Sequence, residues 1–114
     1  MTDRPVPTID PRGAARAAEG DALLLDVREH DEWDAGHDPR ALHIPLGELE
    51  ARLGELPRDR PIFAVCRSGN RSGQATSLLL DRGLDAHNVE GGMQAWSEAG
   101  LPVIDQREQP GRIV

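Results

Sequence analysis

The only cysteine of the chain, Cys66, lies where a predicted strand meets a predicted helix. It follows the apolar run 62–65, and the five residues after it include two arginines but no apolar or acidic side chain. A short loop leading into a helix turns backbone N–H groups toward one point, and the helix N-terminus adds partial positive charge. Because this environment stabilises a thiolate, Cys66 is predicted to be an exposed nucleophile with a lowered pKa. The alternative from the residues alone is an inert, packed cysteine.

The length, net charge and residue composition exclude several classes of function. The 114 residues suffice for one domain, and a net charge of −7 argues against nucleic acid or an anionic membrane as a partner. All basic residues are arginine, which excludes Schiff-base chemistry and a phosphate-loop lysine. Without an apolar span of ~20 residues or a signal peptide, the protein is expected to be cytoplasmic. One cysteine excludes an internal disulfide, the four histidines lack ligand-like spacing, and no metal or other cofactor is expected.

Hydrophobic patterning predicts strands that alternate with helices. Strands are predicted at 8–9, 22–27, 41–44, 61–65 and 85–89, and helices at 11–19, 29–35, 46–53, 72–82 and 91–100. The near-continuous apolar runs 22–27 and 61–65 are typical of strands covered on both faces. The alternation predicts an α/β fold with a parallel sheet between helices. Ligands bind such sheets beyond the carboxyl ends of the strands, where Cys66 falls. The polar segment 105–114 is expected to be loosely ordered.

Several segments, taken in order along the chain, resemble the rhodanese (sulfurtransferase) family. They are residues 25–29 with Trp33, then 36–37, 41–46, 66–72 and 89–96. The resemblance implies a three-layer, rhodanese-like α/β fold with a five-stranded, mainly parallel sheet and helices on both faces. It places the domain at residues 8–104, between an N-terminal tail of residues 1–7 and a C-terminal tail of residues 105–114.

The same resemblance implies a sulfurtransferase. Such an enzyme moves sulfane sulfur from thiosulfate or a persulfide donor to a thiophilic acceptor, a thiol or cyanide, through a persulfide on Cys66; a protein is a further possible acceptor. Four residues separate Cys66 from Arg71, whereas related dual-specificity phosphatases have five, so the spacing favours sulfur over phosphate. Two alternatives stay open: a sulfur carrier or docking module that passes the persulfide to a partner protein, and a phosphatase or arsenate reductase.

The candidate site is the active-site loop, residues 66–72, which comprises Cys66, Arg67, Ser68, Gly69, Asn70, Arg71 and Ser72. Guanidinium forks match the oxygens of an oxyanion such as thiosulfate. Arg71 is predicted to hold the donor or the loop, and Arg67 to lean over the mouth of the pocket. Gly69 is expected to permit a positive φ, and Asn70 to tolerate left-handed geometry.

Supporting roles are predicted around the loop. Asp26 and Arg28 are expected to form an ion pair that braces the turn after their strand, rather than to contact substrate, and His37 to make a structural hydrogen bond. Asp38 and Arg40 stand where the family usually has an inward-packing isoleucine and a glycine, so this turn is expected to be shifted or more exposed. The acidic residues of the predicted helix 29–35 are expected to form a solvated surface: Glu29, Asp31, Glu32 and Asp34.

Overall fold

A single five-stranded sheet forms the centre of the computed structural model, which describes residues 6–114. Its strands run in the order β1-β5-β4-β2-β3, and every neighbouring pair is parallel. This confirms the predicted α/β class. Residues 1–5 of the predicted N-terminal tail lie outside the described residues. The strands are β1 (Thr8–Ile9), β2 (Leu23–Asp26), β3 (Leu42–His43), β4 (Ile62–Val65) and β5 (Ala86–Val89).

Helices cover both faces of the sheet, as predicted. Side chains alternate along the strands, so Leu24 and Phe63 face one core while Leu25 and Ala64 face the other. Within residues 6–114 no helix combines the length and the apolar character needed to cross a bilayer. One face packs against α1 (Pro11–Ala18) and α5 (Gly92–Glu98); the other packs against α3 (Leu46–Leu49), the 3₁₀ segment Glu50–Glu55 and α4 (Asn70–Asp81). The remaining helix, α2 (His30–Ala35), follows β2.

Helix α4 begins earlier than the sequence predicted. Its first residue is Asn70 rather than Ser72, because Gly69 serves as the N-cap with a φ of 118°. This left-handed conformation is open to glycine at little cost and confirms the positive φ predicted there. Asn70 is helical, so the left-handed geometry considered for it is wrong. The early start moves Arg71 and Ser72 into the first turn of α4, directly beside Cys66.

The C-terminal segment is attached to the domain by backbone hydrogen bonds. His37 and Ile104 exchange two N–H···O bonds of 2.9 Å, and the Arg112 N–H donates to Ala35 O at 2.9 Å. These contacts hold the chain against the end of α2 and the turn that follows it. The expectation that residues 105–114 are loosely ordered is therefore wrong, while the domain boundary placed at residue 104 stays a prediction.

In the turn that follows His37, Asp38 is buried although Pro39 and Arg40 are exposed, so the expectation of greater exposure is wrong for the aspartate. Asp38 is fully buried, and its Oδ1 accepts the N–H of Arg40 at 2.7 Å. The Arg40 guanidinium donates to both carboxylate oxygens at 3.2 Å and reaches Ala15 O at 3.3 Å. The two departures from the family pattern thus compensate, because the arginine supplies the charge that permits burial of the aspartate.

A second buried ion pair fixes the turn between β2 and α2. Asp26 and Arg28 are both fully buried, and Nη2 of Arg28 lies 2.7 Å from Oδ2 of Asp26. Nε donates to Oδ1 at 2.9 Å, and Nη2 also donates to Gly36 O at 2.7 Å. The pair predicted at this position is present, and it joins the end of β2 to the end of α2.

The substitution Asp26→Ala is expected to destabilise the fold strongly. It leaves the guanidinium of Arg28 buried without its carboxylate, which typically costs about 3–5 kcal/mol. Urea unfolding measures the free-energy difference. The matched control, Arg82→Ala, removes an exposed pair with Glu50 and is expected to change stability by no more than about 1 kcal/mol. Equal losses in the two variants would contradict a structural role for the buried pair.

Candidate active site

Hydrogen-bond donors converge on the sulfur of Cys66. This residue follows β4 directly and precedes α4, so it lies at the carboxyl end of the sheet. Gly69 N donates to Sγ at 3.1 Å, and the Ser72 hydroxyl oxygen lies 3.2 Å from Sγ. The backbone N–H groups of Ser68 and Ser72 also act on the sulfur and lower the pKa of its thiol. The arrangement places amide dipoles and a hydroxyl around one atom that can carry negative charge.

The carbonyl groups of Cys66 and Arg67 accept hydrogen bonds from α5, and this contact affects which way the N–H groups of the loop point. Met93 N donates to Cys66 O at 2.8 Å, and Gln94 N donates to Arg67 O at 3.0 Å. In a trans peptide the C=O and the following N–H point in opposite directions. Because the Arg67 carbonyl faces α5, the next N–H is turned toward the sulfur. A Cβ on Gly92 would lie 2.5 Å from both loop carbonyl oxygens, so this close approach of α5 requires glycine.

Burial and hydrogen bonding act on Cys66 in opposite directions. Cys66 is only 1% exposed, and burial alone would raise the pKa of its thiol. The hydrogen bonds from the hydroxyl and N–H of Ser72 and from the N–H groups of Gly69 and Ser68 outweigh burial and hold the pKa below its usual value. The expectation of an exposed thiolate is therefore wrong. The loop wraps the sulfur closely, and the anion is stabilised by fixed donors rather than by water.

Arg71 pairs with a carboxylate that the sequence had placed on a solvated surface. Its Nη1 and Nη2 donate to the two oxygens of Glu32 at 2.7 and 2.8 Å. The hydrogen bond from Arg71 outweighs burial and lowers the pKa of Glu32 to about 2. Glu32 Oε1 also accepts Glu29 N at 3.0 Å within the capping box of α2. The expectation of a solvated Glu32 is wrong, because this side chain links α2 to α4.

The second loop arginine is also engaged within the chain. Arg67 Nε donates to Val114 O at 3.0 Å, and its Nη1 and Nη2 lie 3.1 Å from the Gln94 side-chain oxygen in the amide orientation that satisfies both groups. Ser68 is exposed and contributes its backbone N–H to the sulfur. The structure therefore favours bracing of the loop as the role of both arginines, and direct contact with a donor stays a prediction.

One residue of the site was missed at the sequence level. Asn88 of β5 accepts the Ser72 hydroxyl at Oδ1, over 2.6 Å, and donates from Nδ2 to Gly69 O at 3.1 Å. It therefore holds Gly69 and Ser72, whose donors lie within hydrogen-bond distance of Sγ. A signal was available, because Asn88 is a polar residue near the end of a predicted strand that pairs in parallel with the strand before Cys66.

The histidines beside the site are structural. Trp33 stacks with both His37 and His43, with ring centroids 3.7 and 4.7 Å away. His37 Nδ1 is also hydrogen-bonded to Trp33 O at 2.6 Å, which is the structural role predicted for it. Throughout residues 6–114, no three histidine, cysteine or acidic side chains are grouped so that they could hold a metal ion.

Known proteins are similar to this chain in sequence and in fold. Residues 12–99 match the family model described as "Rhodanese-like domain". A Sulfurtransferase of Allochromatium vinosum is 40% identical over 74% of this chain and 79% of its own length. The HTH-type transcriptional regulator Rv0324 of Mycobacterium tuberculosis is 42% identical, but the match covers 77% of this chain and only 40% of the regulator. The crystal structure of a rhodanese-related protein from Thermoplasma volcanium is 35% identical, with a TM-score of 0.81 over 86% of this chain and 97% of that one.

The Glu32–Arg71 pair is expected to make stability depend on pH. The folded pKa of Glu32, about 2, lies below the unperturbed 4.5, so its contribution is present above pH 4.5 and lost as pH falls toward 2. Denaturant unfolding at several pH values should show wild type more stable than Glu32→Gln near neutrality, with the difference shrinking in acid. Asp31→Asn, which removes an exposed carboxylate from the same helix, is the control. A Glu32→Gln difference that stays constant over this range would contradict the pairing.

Proposed function

The chain belongs to the rhodanese-like domain family, and from this membership we propose that it is a sulfurtransferase acting through a persulfide on Cys66. The observation that carries the proposal is the set of hydrogen bonds from Gly69, Ser72 and Ser68 that converge on Sγ. A sulfur nucleophile reacts as the thiolate, and these donors shift the ionisation of Cys66 toward that form without a separate base.

The reaction consists of two displacements at sulfur. The Cys66 thiolate attacks the outer sulfur of a donor such as thiosulfate; an S–S bond forms to Sγ, the donor's S–S bond breaks, and sulfite leaves with the electron pair. A thiophilic acceptor, a thiolate or cyanide, then attacks the outer sulfur of the persulfide and returns the thiolate. Charge balances in both steps, so neither a proton nor an external oxidant is consumed.

The loop can support the intermediate as well as the nucleophile. A persulfide carries its negative charge on the outer sulfur, and the amides of the active-site loop together with the N-terminal end of α4 provide partial positive charge nearby. The Arg71 guanidinium adds a fixed positive charge, and its pKa is raised by the hydrogen bond to Glu32. Small donors, thiosulfate or a persulfide, and thiol or cyanide acceptors fit this chemistry.

A sulfur carrier is the second candidate, and a specific observation favours it. Arg67 and Arg71 both direct their guanidinium groups to partners within the chain. An oxyanion donor such as thiosulfate therefore meets few uncommitted cationic groups at this loop. A carrier would form the same persulfide but hand it to a partner protein, with slow turnover on small acceptors.

The substitution Cys66→Ser is expected to abolish persulfide formation and thiosulfate:cyanide sulfurtransferase activity, because no other thiol exists in the chain. Intact-protein mass spectrometry after thiosulfate treatment should show one added sulfur on wild type and none on the variant or on alkylated wild type. Activity retained by Cys66→Ser would refute the assignment. Efficient persulfide formation with poor turnover on cyanide and small thiols would identify the carrier, and hydrolysis of an aryl phosphate without sulfur loading would identify a phosphatase.

A further inference from the structure

The Ser72 hydroxyl faces two groups that could take its single proton. Asn88 Oδ1 lies 2.6 Å from Ser72 Oγ, and Cys66 Sγ lies 3.2 Å from the same oxygen. A serine hydroxyl donates one hydrogen bond and accepts others, so it cannot donate to both groups at once. Whether this proton points to Asn88 or to the sulfur therefore decides whether Ser72 stabilises the thiolate.

The orientation of the Asn88 amide follows from its other contact. Its second polar atom lies 3.1 Å from the carbonyl oxygen of Gly69, which can only accept. That atom must be Nδ2, and the atom facing Ser72 must be the acceptor Oδ1. Two oxygens 2.6 Å apart need a proton between them, and only Ser72 can supply it. In this arrangement Ser72 Oγ offers a lone pair to the sulfur, which suits a protonated thiol.

We propose that Asn88 is a positioning residue that competes with the Cys66 sulfur for the hydroxyl proton of Ser72. In the thiol form, Cys66 S–H donates to Ser72, and Ser72 donates to Asn88. When the thiol ionises, the hydroxyl rotates to donate to the thiolate, and Oδ1 of Asn88 gives up its partner. Asn88 therefore opposes ionisation through this contact, while its bond to the Gly69 carbonyl holds the loop in place.

The catalytic consequence rests on the proposed function. In the persulfide, Sγ carries neither a proton nor the main charge, which lies on the outer sulfur. Ser72 can then return its proton to Asn88, so this contact favours the sulfur-loaded state over the free thiolate. The switch needs rotation of the hydroxyl group and a small separation of Ser72 Oγ from Asn88 Oδ1, and no bond between heavy atoms forms or breaks.

The test is a double-mutant cycle on the pKa of Cys66, read from the pH dependence of alkylation of the chain's only thiol. Asn88→Leu removes the competing acceptor with little change in size and is expected to lower the pKa. In Asn88→Leu the thiolate gains the hydrogen bond from Ser72. At a pH below the Cys66 pKa of both wild type and variant, this bond should increase the thiolate fraction by about tenfold. Ser72→Ala is expected to raise the pKa more in the Asn88→Leu background than in wild type. Arg71 of α4, which interacts electrostatically with this sulfur, and its partner Glu32 of α2 are unchanged in every variant.

Controls separate this competition from loss of structure. Thr76→Val removes another buried hydroxyl of α4, one that bonds Ser72 O rather than the sulfur, and should leave the pKa of Cys66 unchanged. Asn88→Ala repeats the test with a smaller side chain if the leucine variant does not fold. A purely structural Asn88 would, when replaced, release Gly69 from the sulfur and raise the pKa; that result, or additive effects of the two substitutions, would overturn the proposal. The cycle uses protein without donor, so a failure of persulfide formation would leave its outcome unaffected.

Discussion

The convergence of hydrogen-bond donors on Cys66 Sγ is the interaction on which the rest of the site depends. A buried thiol would normally resist ionisation, and here the Ser72 hydroxyl and the N–H groups of Ser72, Gly69 and Ser68 reverse that tendency. The direction of the Ser68 N–H is set from outside the loop, because α5 binds the carbonyl of Arg67. The reactivity of the sulfur is therefore a property of how α5 and α4 meet at the end of β4.

Charged groups around the loop occur in matched pairs. Asp26–Arg28 and Asp38–Arg40 hold the turns on either side of α2, and Glu32–Arg71 joins α2 to α4. Each pair balances a buried or half-buried charge locally. Stabilisation of the thiolate then comes from the Ser72 hydroxyl and from oriented dipoles of the backbone. These dipoles are fixed by the fold and need little rearrangement when the sulfur gains charge.

The sequence predicted features that depend on local pattern and missed those that depend on distant partners. Apolar runs and their spacing indicated the parallel sheet and the position of Cys66, and the glycine at position 69 indicated a positive φ. Burial of the sulfur was not visible, because it depends on how closely the loop wraps and on the approach of Gly92. Glu32 and Asn88 were missed for the same reason: their partners in α4 lie 39 and 16 positions away along the chain.

The most direct test of this account is the ionisation of Cys66 in the native, unsubstituted protein. Thiolate absorbance followed across pH reports on this residue alone, since the chain has no other cysteine, and Cys66→Ser supplies the baseline. The same titration in denaturant gives the pKa of Cys66 in the unfolded chain. A folded midpoint below the unfolded one is predicted, because fixed donors outweigh burial. A folded midpoint at or above the unfolded value would contradict the account, since burial would then prevail and the sulfur would be an inert part of the core.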